Sequence, residues 1–259
     1  MQWVRPLTAT FCNRFLLVER IQSLWIGSEL SVMERLSIAS FLANGHSYHL
    51  YVYDDVKHVP TGATLKDANE VLPASMIFKY KDADSYAGFS NYFRYKLLVD
   101  RGGWWVDSDV VCLRAFNFDE EYVFASEVSS SEAEVTTSAV IKAPAGSSVI
   151  KFAWETCVSK DSQNIQWGET GPRLIHEAVM RFRLERFRKP YTTFCPVTHP
   201  RWRSVLDAKM DAALPSDACT VHLWNELWRR AAQDKNALYP ASCLYEQLKR
   251  RYQIRTERC

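Results

Sequence analysis

Apolar and polar positions alternate along this chain in two distinct rhythms. Ile21 to Ile26 is a compact apolar run closed by Gly27, which predicts a short buried strand. Ser31 and Glu34 then form a Ser-x-x-Glu pattern ahead of Val32, Leu36, Ala39 and Leu42, which share one side of a helix ending at Asn44-Gly45. Tyr48 to Tyr53 alternates as a strand does and ends in Asp54-Asp55. Strand, helix and strand within about 35 residues make a βαβ unit and predict a parallel sheet. Met76 to Tyr80 reads as a weaker strand. Ser85 or Asp84 can cap a helix from about Tyr86 to Val99, with Phe89, Phe93, Leu97 and Leu98 at helical spacing before Gly102-Gly103. Trp104 to Val106 starts a strand that enters Asp107-Ser108-Asp109 and continues through Val110 to Leu113.

The later part repeats the alternation less strictly. Ala139 to Ala143 predicts a strand, Ser147 to Cys157 a helix, and Gly168 to Pro172 a turn opening a helix to about Arg186. Thr220 to Trp224 is a last short strand, and Leu244 and Leu248 lie in a C-terminal helical segment over about 240–259. With no repeat or linker in between, residues 1–259 read as a single domain of α/β class.

Composition narrows the function classes. The 259 residues are 47% hydrophobic and 24% charged, enough to bury a sizeable core. Thirty-two Lys and Arg against 30 Asp and Glu argue against nucleic acid as partner. Two basic runs stand out, Arg181, Arg183, Arg186, Arg188, Lys189 and Lys249, Arg250, Arg251, Arg255, Arg258. Such runs are solvated helix faces or, in the sharper reading, contacts with anionic headgroups at the inner face of a membrane. Seven scattered cysteines, with no Cys-x-x-Cys pair, suit a reducing compartment and not a zinc site. The N-terminal apolar stretch, Phe15 to Val18 before Glu19, is too short for a signal peptide, and no run is long enough to span a membrane. A cytoplasmic protein, peripheral at most to the membrane, is the expectation.

The candidate chemistry lies in paired carboxylates. Two acids one residue apart can hold a divalent cation that also binds a diphosphate. Chance supplies about one Asp-x-Asp pair in a chain of this length, and this chain has two. Asp82 and Asp84 precede a helix, where acids are favourable for reasons of helix polarity alone. Asp107 and Asp109 instead interrupt an apolar strand, between Trp104-Trp105-Val106 and Val110-Val111-Cys112-Leu113. Burying carboxylates there costs several kcal/mol unless a cation compensates, and the C-terminal edge of a parallel sheet is where such folds bind ligands.

The run Ser90-Asn91-Tyr92-Phe93-Arg94, followed by Gly102-Gly103-Trp104-Trp105-Val106-Asp107-Ser108-Asp109, resembles the signature of the DXD-containing sugar-transfer glycosyltransferases. That family includes α-1,4-galactosyl- and N-acetylglucosaminyltransferases, initiating mannosyltransferases and bacterial polysaccharide enzymes, and clostridial glucosylating toxins carry a related core. The resemblance implies the GT-A fold, a Rossmann-like mixed sheet flanked by helices. It implies transfer of a hexose, with retention, from a nucleotide sugar to a glycan or lipid-linked glycan, in a setting such as capsule or lipopolysaccharide synthesis. It implies Mn2+ or Mg2+ on Asp109 and Asp107, with Asp107 also at the ribose and Arg94 near the donor sugar and phosphates. The donor is a UDP-sugar more readily than GDP-mannose, because Trp25 in Leu24-Trp25-Ile26-Gly27 matches a tryptophan that stacks on uracil in the related toxins. Asp54 is a looser nucleotide contact. His222, in His222-Leu223-Trp224-Asn225, matches the late His-x-Trp segment that completes the metal and diphosphate site. Gly168-Glu169-Thr170-Gly171-Pro172 resembles the Thr-Gly-Pro turn beside the acceptor, which makes Glu169, Thr170 and Gly171, together with Glu127, acceptor-side candidates.

Asn91 departs from the family, which has Asp there to hold donor-sugar hydroxyls; Asn keeps an acceptor oxygen, gains an NH2 donor and loses the charge. That leaves open a degenerate module that binds a nucleotide sugar without transferring it. A toxin-like effector acting on a protein is a further alternative. A nucleotidyltransferase would want a glycine-rich, basic phosphate loop after the first strand, and Leu24 to Leu30 offers only Gly27.

Overall fold

The computed structural model describes residues 20–81, 83–128, 132–162, 164–208 and 214–255. Phe15 to Val18, Glu19, Asp82, Arg258, Cys12 and Cys259 lie outside the described residues. A six-stranded sheet forms the centre. Its strands are β1 (Arg20–Trp25), β2 (Ser47–Val52), β3 (Ala63–Asp67), β4 (Gly103–Val106), β6 (Val123–Val128) and β7 (Glu134–Ala143), in the order β3-β2-β1-β4-β7-β6. The first four are mutually parallel, and β7 runs antiparallel to both β4 and β6. The expected mixed α/β sheet with flanking helices is therefore what the chain forms.

Local chemistry accounts for the elements. Helix α1 (Val32–Ala43) starts at the predicted capping box: Ser31 Oγ accepts from the Met33 amide at 3.2 Å, and Glu34 accepts from the Ser31 amide at 2.9 Å. Helix α2 (Ala87–Arg101) begins without a side-chain cap on its N-cap residue, Tyr86. Neighbouring residues of β4 face opposite ways, as strand geometry requires. Trp104 packs with Ile21, Phe41 and Tyr48 on the α1 side. Trp105 packs with Phe89, Phe93 and Leu97 on the side of α2, where α3 (Ser148–Val158) and α4 (Pro172–Arg181) also lie. The return from α2 to β4 uses Gly102 at φ 59°, where an added Cβ would sit 2.4 Å from the Ala145 amide nitrogen. No side chain fits that approach.

Several expectations are corrected. The strand read across Asp107–Asp109 is two strands in two sheets. After β4 the chain turns, with the Val110 amide donating to the Asp107 carbonyl at 3.1 Å, and β5 (Val110–Cys112) pairs antiparallel with β8 (Thr220–His222). Met76 to Tyr80 is not a strand. Residues 74–76 form a 3-10 turn and Phe78 and Tyr80 pack as core aromatics against Phe89, Tyr92 and Trp167. The helix after Pro172 ends at Arg181, five residues early, where Arg183 takes a left-handed conformation. In the C-terminal helix α7 (Leu244–Arg251), Lys249 is only 2% exposed and paired with Glu246, while Arg250 and Arg251 donate to the Ala241 and Leu113 carbonyls. The second basic run is thus partly internal, whereas Arg181, Arg183 and Arg186 are exposed.

Candidate functional site

The strand order places the site. The chain builds β1, β2 and β3 outward in one direction and then returns to lay β4 on the other side of β1. The switch point between β1 and β4 opens a crevice at their C-terminal ends, the place where doubly wound sheets bind ligands. Trp25 ends β1 there, Asp107 follows the last residue of β4, and β6 brings Glu127 to the same edge. The Asp107 amide donates to the Ala139 carbonyl at 2.8 Å, so the sheet's hydrogen bonding carries on one residue beyond β4 and fixes the turn that follows.

Asp107, Asp109 and His222 converge at this edge, with one potential ligand atom from each lying within 4.8 Å of the others. Asp109 belongs to the start of the small sheet: its carbonyl accepts from the Leu223 amide at 3.0 Å, and Oδ2 accepts from the Asn225 amide at 2.7 Å. His222 Nε2 lies 3.3 Å from that same oxygen, and Nδ1 faces Cys195 Sγ at 3.9 Å. The imidazole stacks on Trp224, centroid to centroid 3.9 Å. Trp224 itself is held at φ 60°, ψ 51°, a left-handed conformation unusual for a bulky residue, and its indole donates to the Val197 carbonyl at 2.8 Å. Helix α6 (Asn225–Arg230) starts directly after it.

Arg94 ties the two halves of the floor together. Nη2 donates to Asp107 Oδ1 at 2.8 Å and to Ser90 Oγ at 3.2 Å, Nη1 donates to the Ser138 carbonyl at 2.9 Å, and the guanidinium lies 5.0 Å from the Trp105 ring centroid. Trp105 Nε1 adds a second donor to Asp107 Oδ1 at 2.8 Å. The electrostatics differ between the two acids. Burial raises the Asp107 carboxyl above the usual carboxylate range, with Arg94 opposing it. Burial also acts on Asp109, but the His222 ring and the Asn225 amide outweigh it and hold Asp109 low. Burial favours a neutral His222, yet the Asp109 carboxylate beside it holds its pKa well above the ordinary value. Two carboxylates and one imidazole, Asp109 and His222 buried and Asp107 partly so, form a donor set that can hold a divalent cation, and a cation binding there would displace the imidazole proton.

A cavity of about 430 Å³ lies over this floor. Of the residues singled out in the sequence, Trp25, Asn91, Arg94, Asp107, Asp109, Glu127 and His222 line it. Asn91 Nδ2 donates to Thr170 Oγ1 at 3.2 Å, and Gly171 abuts the same amide, where an added Cβ would stand 3.1 Å from Nδ2. Thr170 and Gly171 therefore support Asn91 from behind, and both are buried. Asp54 is exposed and outside the cavity lining, and Glu169 is held by Lys160 at 2.6 Å, also outside it. Asp84 reaches the rim, ion-paired with Lys79. Sequence reasoning missed Tyr80, Trp167, His199, Arg229 and Arg230, which complete the walls. Trp167 borders the Gly168 turn and the two arginines lie about one helical turn after the His222 segment, so adjacency to those motifs is the signal that could have found these three.

No protein-family model and no curated protein sequence matches the chain. Solved structures do. The chain is similar to the PaToxG glycosyltransferase at 16% identity, over 91% of this chain and 84% of that one, with a TM-score of 0.47. It is similar to the ligand-free glycosyltransferase domain of the YGT toxin at 9% identity, over 90% and 94% of the two chains, with a TM-score of 0.45. It is similar to the glycosyltransferase GlyE of Streptococcus pneumoniae TIGR4 at 13% identity, over 92% of this chain and 61% of that one, with a TM-score of 0.49.

Proposed function

We propose that this chain is a metal-dependent, retaining glycosyltransferase that moves a hexose from a nucleotide sugar, a UDP-sugar in preference to GDP-mannose, to a glycan or lipid-linked glycan acceptor. Bacterial surface polysaccharide synthesis is the setting that fits, with the exposed Arg181, Arg183 and Arg186 available to an anionic membrane face. The observation that carries this reading is the Asp107–Asp109–His222 cluster on the floor of a cavity at the sheet's switch point. When bound, the cation supplies positive charge against the departing diphosphate. Arg94 favours the Asp107 carboxylate against the effect of burial and orients it, so the floor is preorganised before the donor enters. Trp25 offers its face to the base, and Asn91, braced by Thr170, offers one amide to the donor sugar.

Incubation with Mn2+ and a panel of UDP- and GDP-sugars, reading nucleoside diphosphate release, tests the proposal against an Asp107→Ala/Asp109→Ala control. Release from one donor, abolished by the double substitution and by chelator, is the expected result. A second reading, a module that binds nucleotide sugar without transfer, draws on Asn91, whose amide is already engaged by Thr170. Metal-dependent binding by calorimetry with no release from any donor would favour it, and absence of both would defeat both readings.

A further inference from the structure

Five carboxylates line the cavity: Asp84, Asp107, Asp109, Glu127 and Glu226. Four are committed. Asp84 is paired with Lys79, and Glu226 with Arg229 and Arg230 at 2.6 and 2.7 Å. Asp107 and Asp109 belong to the metal-capable cluster. Glu127 differs from all of them, because among the described residues no cation pairs with it; the Thr137 hydroxyl on the neighbouring strand favours its ionised form. It stands at the end of β6, just past the register shift between Phe124 and Ser126. A bulge of this kind re-aims side chains at a strand end.

A half-buried carboxyl without a cation costs folding free energy, so its place in the wall of a ligand cavity calls for a chemical reason. It lines the same cavity as Asp107 and His222, and the ends of β6 and β4 lie on the same edge of the sheet. An acceptor hydroxyl that attacks from the face where the diphosphate departs must enter beside that cluster. Glu169, the other acceptor-side candidate, is held by Lys160 away from the cavity.

We propose that Glu127 is the general base for the acceptor hydroxyl, an assignment that rests on the glycosyltransferase reading. As the acceptor oxygen forms its bond to the anomeric carbon, its proton passes to a Glu127 carboxylate oxygen. The bond from the anomeric carbon to the phosphate oxygen breaks, and its electron pair leaves with the nucleoside diphosphate. Burial raises the Glu127 carboxyl above the ordinary range, which moves it toward the operating pH of a base. Thr137 orients it.

Glu127→Gln keeps the shape but cannot take the proton. Expected is a fall in kcat of about 10²- to 10⁴-fold, the usual worth of a positioned base, with Mn2+-dependent UDP binding by calorimetry within about twofold of wild type. The acidic limb of the kcat pH profile, measured at saturating metal and donor, disappears in this variant. In Thr137→Val that limb moves to higher pH, because the hydroxyl that favours the ionised form is gone. The base assignment is overturned if Glu127→Gln keeps kcat within about threefold of wild type. It is also overturned if UDP binding falls as far as turnover, or if His199→Gln removes the acidic limb while Glu127→Gln retains it. If the wild-type protein neither binds UDP with Mn2+ nor releases a nucleoside diphosphate, the glycosyltransferase reading itself fails, and this role with it.

Discussion

Replacing Arg94 by methionine tests the electrostatic account of the site without any knowledge of the substrate. The guanidinium is 5% exposed and makes three hydrogen bonds, to Asp107, Ser90 and the Ser138 carbonyl. Met fills most of the volume but leaves Asp107 as an uncompensated carboxylate beside Asp109. Breaking a buried ion pair from one side costs about 3–5 kcal/mol. Asp107 is 25% exposed and keeps the Trp105 indole donor, so the lower end, about 3 kcal/mol, applies here. That is a large share of the roughly 5–15 kcal/mol that holds a domain together. Lysine restores charge but not the fork, and Arg94→Lys should lose about 1–2 kcal/mol. The pH dependence follows from the raised Asp107 carboxyl. A carboxyl that binds its proton more tightly in the folded protein than in the unfolded chain lowers stability as pH rises from the unfolded value through the folded one. Without Arg94 the folded value rises further, so the Arg94→Met penalty is largest at neutral pH and shrinks on acidification. Urea denaturation in the presence of chelator, on the wild type, Arg94→Met, Asp107→Asn and the double variant, measures all of this. The double variant should recover most of the loss, because the stranded charge has gone. An Arg94→Met protein within about 0.5 kcal/mol of wild type at neutral pH, or a double variant no better than the single one, would refute the reasoning.

His222→Ala should weaken Mn2+ binding by more than about tenfold, since even groups behind a metal's direct ligands are worth that much; isothermal calorimetry with Mn2+ alone decides it. Trp25→Ala should weaken Mn2+-dependent UDP binding by about 1–3 kcal/mol, the worth of a base stacked on an aromatic ring, and an unchanged affinity would remove Trp25 from the nucleotide site. Gly102→Ala should cost at least about 1–3 kcal/mol in thermal melts, because an added Cβ meets backbone at 2.4 Å, which a rotamer change cannot relieve.

Much of this architecture was legible because local and global signals agree. The capping box at Ser31 and Glu34, the glycines at 102 and 103 and the apolar context of Asp107 and Asp109 each have a local cause, and each is found in place. What failed did so where tertiary surroundings decide. β3 is an edge strand with Leu65 45% exposed, so it lacks the alternation that reveals a half-buried strand. β6 contains a register shift that breaks the period of two. Met76 to Tyr80 is apolar enough for a strand, yet Phe78 and Tyr80 pack as aromatics against α2 and Trp167, and the segment makes only an isolated bridge, from Tyr80 to Ala83, among the described residues. The split of one apolar run into β4 and β5 depends on β8, more than a hundred residues further along the chain, which no local pattern encodes. The same distance separates Asp109 from His222, so only the family resemblance of the His222-Leu223-Trp224 segment, and no spacing rule, put them at one site.

The break between β4 and β5 has a mechanical consequence. Asp107 belongs to the end of the large sheet, while Asp109 and His222 belong to the small one, whose two strands are only three residues each. A ligand gripped by all three side chains rivets together two sheets that share no ladder between them. Amide hydrogens of Val110–Cys112 and Thr220–His222 should therefore exchange with deuterium more slowly when the crevice is filled, far more so than those of β2 and β3. On the proposed function, the rigidity of this part of the protein becomes a readout of how much cation and nucleotide it holds.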